Sequence, residues 1–344
     1  MDRADVRPLA GRRPAPAPLV VSVLALAAVM ALAISVGSVP VPPAALMGGL
    51  VDGLRGHVHG TVDVIVWQLR LPRVVLAALV GAALSLAGAA FQGVFRNPLA
   101  DPYLLGAASG AGFGAAAVLV FAGAVPWLAR LGVPVAAFAC AMATVAAVTL
   151  VARQGSHLPS VSLILSGVVV GSSLTAATSF LMLASRDRAA GILSWLLGSF
   201  AYASWGRLLP VAALLLPAAL AILAAARALD VMQLGEESAA QLGVPIEAVK
   251  LGLLVAATLA TAAAVSVAGV IGFVGLVVPH AVRLAFGAPH RRLLPLAAVW
   301  GALFMVLADL AARTVVAPAE VPVGVITALV GGPFFLALLR KQRT

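Results

Sequence analysis

Long apolar runs separated by short polar segments dominate the sequence. A helix that crosses the hydrocarbon of a bilayer needs about 20 apolar residues. The uncharged run from Leu251 to Val282 is too long for one crossing, so we divide it at the glycines near Gly269. The pattern then predicts ten transmembrane helices: Leu19–Val39, Val74–Phe95, Tyr103–Leu128, Leu131–Ala152, Leu158–Ser185, Leu208–Ala226, Leu251–Ala268, Val270–Gly287, Leu293–Arg313 and Val321–Leu339.

Composition supports a membrane protein. Of the 344 residues, 62% are hydrophobic and 10% are charged, which is too little polar surface for a soluble domain of this size. A chain in lipid must satisfy its own backbone hydrogen bonds, and long apolar runs do so as helices. We therefore predict an all-α, polytopic protein, with a basic cytoplasmic leader at 1–18 and a single ten-helix domain at 19–344.

The net charge of +10 is spread over short loops rather than gathered in one patch, which argues against a nucleic-acid partner. Fourteen Lys and Arg residues fall on the side of the two termini, and eight fall on the other side. Cytoplasmic loops carry the excess of positive residues. We therefore expect a multi-pass membrane protein with both termini in the cytoplasm.

An internal repeat is indicated by sliding the chain by 181 positions. This shift aligns Ser85–Gly88 with Ser266–Gly269 and Pro98 with Pro279. The shift corresponds to five membrane crossings. Because an odd number of crossings reverses the direction of the chain through the membrane, spans 2–5 and 7–10 would form inverted halves, as in many transporters. The alternative is a chance match between segments rich in Ala and Gly.

The most polar long loop, residues 228–247, lies between spans six and seven on the predicted cytoplasmic side. Gly235 can open a short helix with Glu236 and Glu237 in its first turn, where the helix dipole favours carboxylates. Gly243, two residues before Pro245, can close it. The pattern predicts a helical hairpin suited to docking, the alternative being a solvated connector.

The sequence lacks the residues that several kinds of chemistry require. The two lysines, Lys250 and Lys341, do not follow glycine, so no Gly-Lys-Ser/Thr phosphate loop exists and the chain is not its own ATPase. Cys140 is alone and cannot form an intrachain disulfide. His57 and His59 lie two apart in a loop, which is weak evidence for metal, and we predict no metal site.

An ion-coupled carrier and an intramembrane enzyme are two protein classes that also have to be considered. An ion-coupled carrier also suits an inverted repeat, but it usually keeps ionisable groups at mid-membrane, and Asp309, near a span end, is the only carboxylate within a predicted span. An intramembrane enzyme needs a nucleophile with a partnered base, and no Gly-x-Ser-x-Gly motif occurs. The residues therefore favour neither an ion-coupled carrier nor an intramembrane enzyme.

Ordered motifs from Trp67 to the C-terminus resemble the FecCD-type permeases (the family of the cobalamin permease BtuC), the membrane subunits of type II ABC importers for ferric siderophores, haem and cobalamin. Besides the polar loop, the motifs are QLRLPR at 68–73, GAAFQGVFRNPLADP at 88–102, GFVGLVVPH at 272–280, ADLAAR at 308–313 and EVPVGVIT at 320–327. The resemblance implies a homodimer with ten helices per subunit, a path along the dimer axis, two cytoplasmic ATPases and a periplasmic binding protein. The chain itself would bind no cofactor, since ATP and Mg²⁺ belong to the ATPase.

The resemblance also assigns roles to residues. It implies that the ATPase contacts Leu234, Gly235, Glu236, Glu237, Ala240, Leu242, Gly243 and Val244. It implies that the binding protein docks on Arg70, Arg73 and Arg313, with an Asp309–Arg313 pair as the structural alternative. The link between spans four and five would form a cytoplasmic gate with His157, Leu158 and Ser160, although a loop histidine facing water is the simpler explanation for His157. The cargo is expected to be haem or a ferric siderophore, with cobalamin as the alternative.

Overall fold

The structure is a computed structural model that describes residues 17–37, 48–49, 51–53, 60–287 and 289–341. Most of the predicted leader, together with His57 and His59, lies outside this range. Its helices are α1 (Ala17–Ser35), α2 (Thr61–Val94, with a π-helical turn at Ile65–Arg70), α3 (Ala107–Phe121), α4 (Pro126–Ala152), α5 (Ser160–Ala184), α6 (Arg186–Leu196), α7 (Trp205–Ala224), α8 (Ala226–Met232), α9 (Glu236–Gln241), α10 (Ile246–Ala268), α11 (Val274–Phe286), α12 (His290–Thr314) and α13 (Val323–Lys341).

Each of the ten predicted spans is occupied by a helix, so the all-α, ten-helix prediction is confirmed. Seven helices are long and apolar enough to cross a membrane: α1, α2, α4, α5, α7, α10 and α12. The other three spans contain the shorter apolar helices α3, α11 and α13. The described ranges also contain α6, which the sequence analysis missed because Arg186, Asp187 and Arg188 gave it the polarity of a loop.

Spans three and eight were predicted too long. Non-helical backbone at 95–106 precedes α3, and 269–273 precedes α11. At 1.5 Å per residue, α3 and α11 are shorter than the roughly 30 Å of a bilayer core. Left-handed backbone at Gly106 and Phe273 ends each segment. The parts next to the helices, 100–106 and 269–273, are buried or half-buried in the protein, where irregular backbone at membrane depth is tolerated.

The centre of the bundle is α2, which packs against α10, α11 and α12. Backbones approach closely there because the contact positions carry no side chain. A Cβ on Gly88 would overlap the carbonyl oxygen of Gly275, and one on Gly81 would overlap that of Gly301. Lipid provides no hydrophobic driving force between helices, so close van der Waals contact at small residues stabilises the packing instead.

The packing has the symmetry that the predicted repeat requires. In the repeat, α2, α3 and α4 correspond to α10, α11 and α12. The contact between α2 and α12 then corresponds to the contact between α10 and α4, and the contact between α2 and α11 corresponds to that between α10 and α3. All four contacts are present. The residue register is different from the offset of 181, because Gly88 lies within α2 whereas Gly269 follows the end of α10. The sequence match that suggested the repeat is therefore displaced along the helices.

Candidate functional site

The polar loop forms the predicted hairpin. Helix α9 runs from Glu236 to Gln241, and the backbone turns at Gly235 (φ 109°) and Gly243 (φ 82°). Both angles lie in the region that only glycine adopts readily, so these residues set the start and end of the short helix. We call the side of the bundle that carries residues 230–246 the hairpin end.

The hairpin has its own small core and two large apolar side chains on its outer face. Met232, Ala239 and Ile246 are buried together. Leu234 and Leu242, one on each side of α9, are each 65% exposed. Two large apolar side chains held outward on a folded hairpin are typical of a surface that another protein covers.

Three polar contacts fix the hairpin to the bundle. Gln233 Nε2 donates to the carbonyl of Gly93 at the end of α2 (3.1 Å). Asp230 Oδ1 accepts the backbone N–H of His290 and lies 2.7 Å from its Nδ1, at the start of α12. Lys250 Nζ of α10 lies 2.7 Å from Oε1 of Glu236. A displacement of the hairpin is therefore resisted by α2, α10 and α12 together.

The predicted gate link lies at the same end. A tight turn joins Gln154 and His157 through two backbone hydrogen bonds of 3.0 Å. Leu158 is buried, and its N–H donates to Oε2 of Glu247 (3.0 Å). His157 is 75% exposed with Nδ1 3.6 Å from Glu247 Oε1, and Ser160 starts α5. An exposed imidazole agrees with the reading of His157 as a loop residue facing water.

The opposite end carries the three predicted docking arginines, and we call it the arginine end. Arg73 donates to both oxygens of Asp309 (2.8–3.1 Å) and to both oxygens of Glu320 (2.9 and 3.0 Å). The Asp309 side chain is only 2% exposed. Such fork-shaped contacts fix geometry strongly, so Arg73 joins α2 to α12 and to the segment before α13.

Arg70 and Arg313 hold the end of α1. Arg70 Nη1 donates to the carbonyls of Ile34 (2.8 Å) and Ser35 (2.9 Å), and Arg313 donates to those of Ala33 and Val36. These are last-turn carbonyls that a helix leaves unsatisfied, and cations suit that end of the dipole. The expected Asp309–Arg313 pair is present at 3.6 Å, but the closer partner of Asp309 is Arg73.

A cavity of about 650 Å³ opens between α3 and α5. Ser109, Ser172, Thr175 and Ser179 line it, beside Asp101 in the segment before α3. The Tyr103 N–H donates to Oδ1 of Asp101 (2.8 Å). The four hydroxyl groups, with the glycines beside them, give the α3–α5 pair a face that carries uncharged polar groups. Within the described ranges, no group of three or more His, Cys, Asp or Glu residues is arranged to hold a metal ion.

The apolar pattern did not indicate the roles of Glu247, Lys250 and Glu320. Span seven was predicted to start at Leu251, whereas α10 begins at Ile246 and includes both Glu247 and Lys250. Pro245 is typical of a helix start, and Glu247 and Lys250 are three residues apart, as helical ion pairs are, so the sequence did indicate the earlier start. Glu320 is 247 residues from Arg73, and no local pattern announces such a pair.

Taken together, the helices, their apolar surfaces and two structured polar ends define a multi-pass membrane protein of the permease class. The chain matches the model of the FecCD transport family over residues 24–341, and it belongs to that family. It is 44% identical to the cobalamin import system permease protein BtuC of Halobacterium salinarum over 306 residues (89% of this chain, 81% of that protein). It is 42% identical to the hemin transport system permease protein HmuU of Yersinia pestis over 306 residues (87% and 91%).

Solved structures agree with this assignment. A structure described as an inward-facing conformation of a metal-chelate type ABC transporter matches with a TM-score of 0.81 and 31% identity. The match covers 95% of this chain and 100% of the other. The chain is therefore an ABC importer permease of the group that handles haem, ferric siderophores or cobalamin, a transporter component rather than a catalytic subunit.

Proposed function

We propose that this chain is the permease subunit of an ATP-driven importer that moves an iron chelate, haem or a ferric siderophore, from a periplasmic binding protein into the cytoplasm. The observation that carries the proposal is the folded hairpin with Leu234 and Leu242 exposed, in a chain of the FecCD family. A permease needs such a surface to receive mechanical work from another subunit. On this proposal the hairpin end faces the cytoplasm, as do both termini, in the inner membrane.

The energy source is proposed to be two copies of a separate ATPase, which hold ATP and Mg²⁺. Each would cover one hairpin, contacting Leu234, Gly235, Glu236, Glu237, Ala240, Leu242, Gly243 and Val244. The amphipathic character of the hairpin supports this contact, since Ala239 packs inward while the leucines point outward. A helix seated in a cleft moves when the cleft closes. The link with His157, Leu158 and Ser160 would be the gate that this movement opens.

A second copy of the chain is proposed to complete the path, with lipid around the dimer. The exposed apolar side chains of α5, including Leu165, Val169 and Phe180, support a partner or lipid on that face. The hydroxyl-lined cavity beside them would give a bulky polar cargo weak, uncharged contacts. Weak contacts suit a path, because a cargo held tightly would not leave.

The arginine end is proposed to receive the binding protein. Arg70, Arg73 and Arg313 lie around two carboxylates, Asp309 and Glu320, so arginines outnumber carboxylates among the described residues of this cluster. Positive charge at a rim steers an acidic partner and speeds encounter more than it tightens binding. The three arginines would thus shape and charge the docking rim while also holding the fold.

Cobalamin is the alternative cargo. It is supported by the 44% identity to the cobalamin permease of Halobacterium salinarum, which is close to the 42% identity to the hemin permease. Identity over the whole chain does not separate the two cargoes.

The test is uptake into vesicles. The permease, its ATPase and its loaded binding protein are reconstituted, and labelled hemin, a ferric siderophore and cobalamin are offered separately with and without ATP. ATP-dependent uptake of hemin or the siderophore supports the proposal. Uptake of cobalamin alone establishes the alternative, and ATP-independent uptake of any of them would contradict an ABC importer. A double variant, L234S with L242S, controls for leakage.

A further inference from the structure

A buried ammonium group joins the hairpin to the body of the bundle. Lys250 is on α10, and its side chain is only 3% exposed. Its Nζ lies 2.7 Å from Glu236 Oε1 of the hairpin and 3.8 Å from Glu247 Oε1, one turn earlier on α10. A buried cation is costly unless carboxylates compensate it. The position of Glu236 is therefore fixed by a charge inside the bundle.

The second carboxylate of this cluster reaches the gate link. Glu247 Oε2 accepts the N–H of Leu158 (3.0 Å), while its other oxygen faces Lys250 and His157. Leu158 itself is buried, so the link is anchored by its side chain as well as its backbone. Residue 236 and residue 158 are far apart in the sequence, yet two side chains, Lys250 and Glu247, connect them.

We propose that Lys250 and Glu247 form a relay that carries displacement of the hairpin to the link at residues 154–159. The inference rests on the proposed function, and it adds positioning residues that act through their contacts rather than by touching cargo or nucleotide. When the hairpin moves, Glu236 moves relative to Lys250. Lys250 then redistributes its contact between the two carboxylates, and Glu247 loosens or tightens its hold on the Leu158 N–H.

The relay accounts for three features at once. The lysine is deep, although a topological signal alone needs only a surface charge. The Glu247 carboxylate divides its oxygens between a cation and a backbone N–H. The tight turn at Gln154–His157 makes the link a stiff unit, so movement at Leu158 shifts all of it. Stiff, discretely paired elements transmit movement better than flexible ones.

The test compares variants in the reconstituted complex of permease, ATPase and loaded binding protein. In a chain with C140A, a single cysteine at Ser156 on the link or at Ser238 on the hairpin carries an environment-sensitive fluorophore; both serines are exposed. The measurements are uptake per ATP hydrolysed, ATPase co-purification, and the fluorescence change on adding a non-hydrolysable ATP analogue. K250M removes the ammonium at similar length, and K250R restores a cation.

For K250M we expect the nucleotide response at residue 238 to persist and the response at residue 156 to be lost. Uptake per ATP should fall about tenfold, within the range of coupling between two sites, and K250R should recover most of it. E247Q, which keeps an oxygen for the Leu158 N–H, and E236Q, which breaks the pair from its exposed side, should change both readouts in the same direction. The matched control is D187N, an exposed carboxylate on α6.

Unchanged uptake per ATP and an unchanged response at residue 156 in K250M, E247Q and E236Q would overturn the relay. If K250M does not assemble with the ATPase, the two glutamine variants decide alone. Failure of the proposed function has a different signature, because the unsubstituted complex would then show neither ATP-driven uptake nor any nucleotide response at residue 238.

Discussion

The two ends of the bundle treat charge in opposite ways. At the arginine end, Arg70, Arg73 and Arg313 point inward to carbonyls and carboxylates within the same chain. At the hairpin end, the buried Lys250 contacts the hairpin from inside the bundle, and the outward surface includes two exposed leucines. The charged motifs at the arginine end therefore indicate contacts within the chain, whereas the exposed apolar residues at the hairpin end indicate a contact with a partner.

The buried pair at the arginine end offers the largest effect. R73A leaves Asp309, at 2% exposure, without its bidentate partner. Breaking a buried pair from one side costs about 3–5 kcal/mol, so the purified protein should lose several degrees or more in Tm in detergent. E320Q is the matched control, since the Glu320 side chain is 42% exposed and exposed pairs contribute about 0–1 kcal/mol. Equal Tm values for both variants would remove the contrast.

The hairpin end should show the reverse behaviour. L234S together with L242S removes two exposed apolar side chains, each worth about 1.5–3 kcal/mol when a partner buries it. ATPase affinity should fall on the order of a hundredfold, while the Tm of the isolated permease stays within a degree. Titration of the ATPase against detergent-solubilised permease measures both. A large fall in Tm with unchanged affinity would assign the leucines to the fold.

Glu236 and Glu237 are neighbours on α9, and substituting each one separates a contact within the chain from a contact with the ATPase. E237K alters an exposed charge and should weaken the ATPase by about fivefold, mostly through a slower, salt-dependent association. E236K places a second cation beside Lys250 and should also destabilise the hairpin. Hydrogen exchange of residues 236–241 distinguishes the variants, with faster exchange only in E236K. Identical exchange in both would contradict the internal role of Glu236.

The sequence predicted the elements better than their partners. Apolar runs located all ten spans, and glycines marked the hairpin, because both signals are local. The backbone at 103–106 and 270–273 was predicted as helix, since an apolar segment has the same sequence pattern whether its backbone is helical or irregular. Burial of Lys250 and the Arg73–Glu320 pair depend on distant segments meeting, which periodicity does not encode.

The smallest effect belongs to the rim of the arginine end. E320Q removes one of the two carboxylates from the cluster, which raises its net positive charge. Association of the loaded binding protein should become about twofold faster at low salt and equal to the unsubstituted protein at high salt. Stopped-flow mixing at two salt concentrations measures this. A slower rate at low salt would mean that the partner presents a basic surface here.

The most direct test of the account is the sidedness and occupancy of the hairpin end. In a chain with C140A, a cysteine at Ser238 is exposed to a membrane-impermeant thiol reagent in intact and in permeabilised cells. We predict labelling only after permeabilisation, and slower labelling when the ATPase is co-expressed. Labelling of intact cells from outside would contradict a hairpin that faces the cytoplasm and is driven by an ATPase.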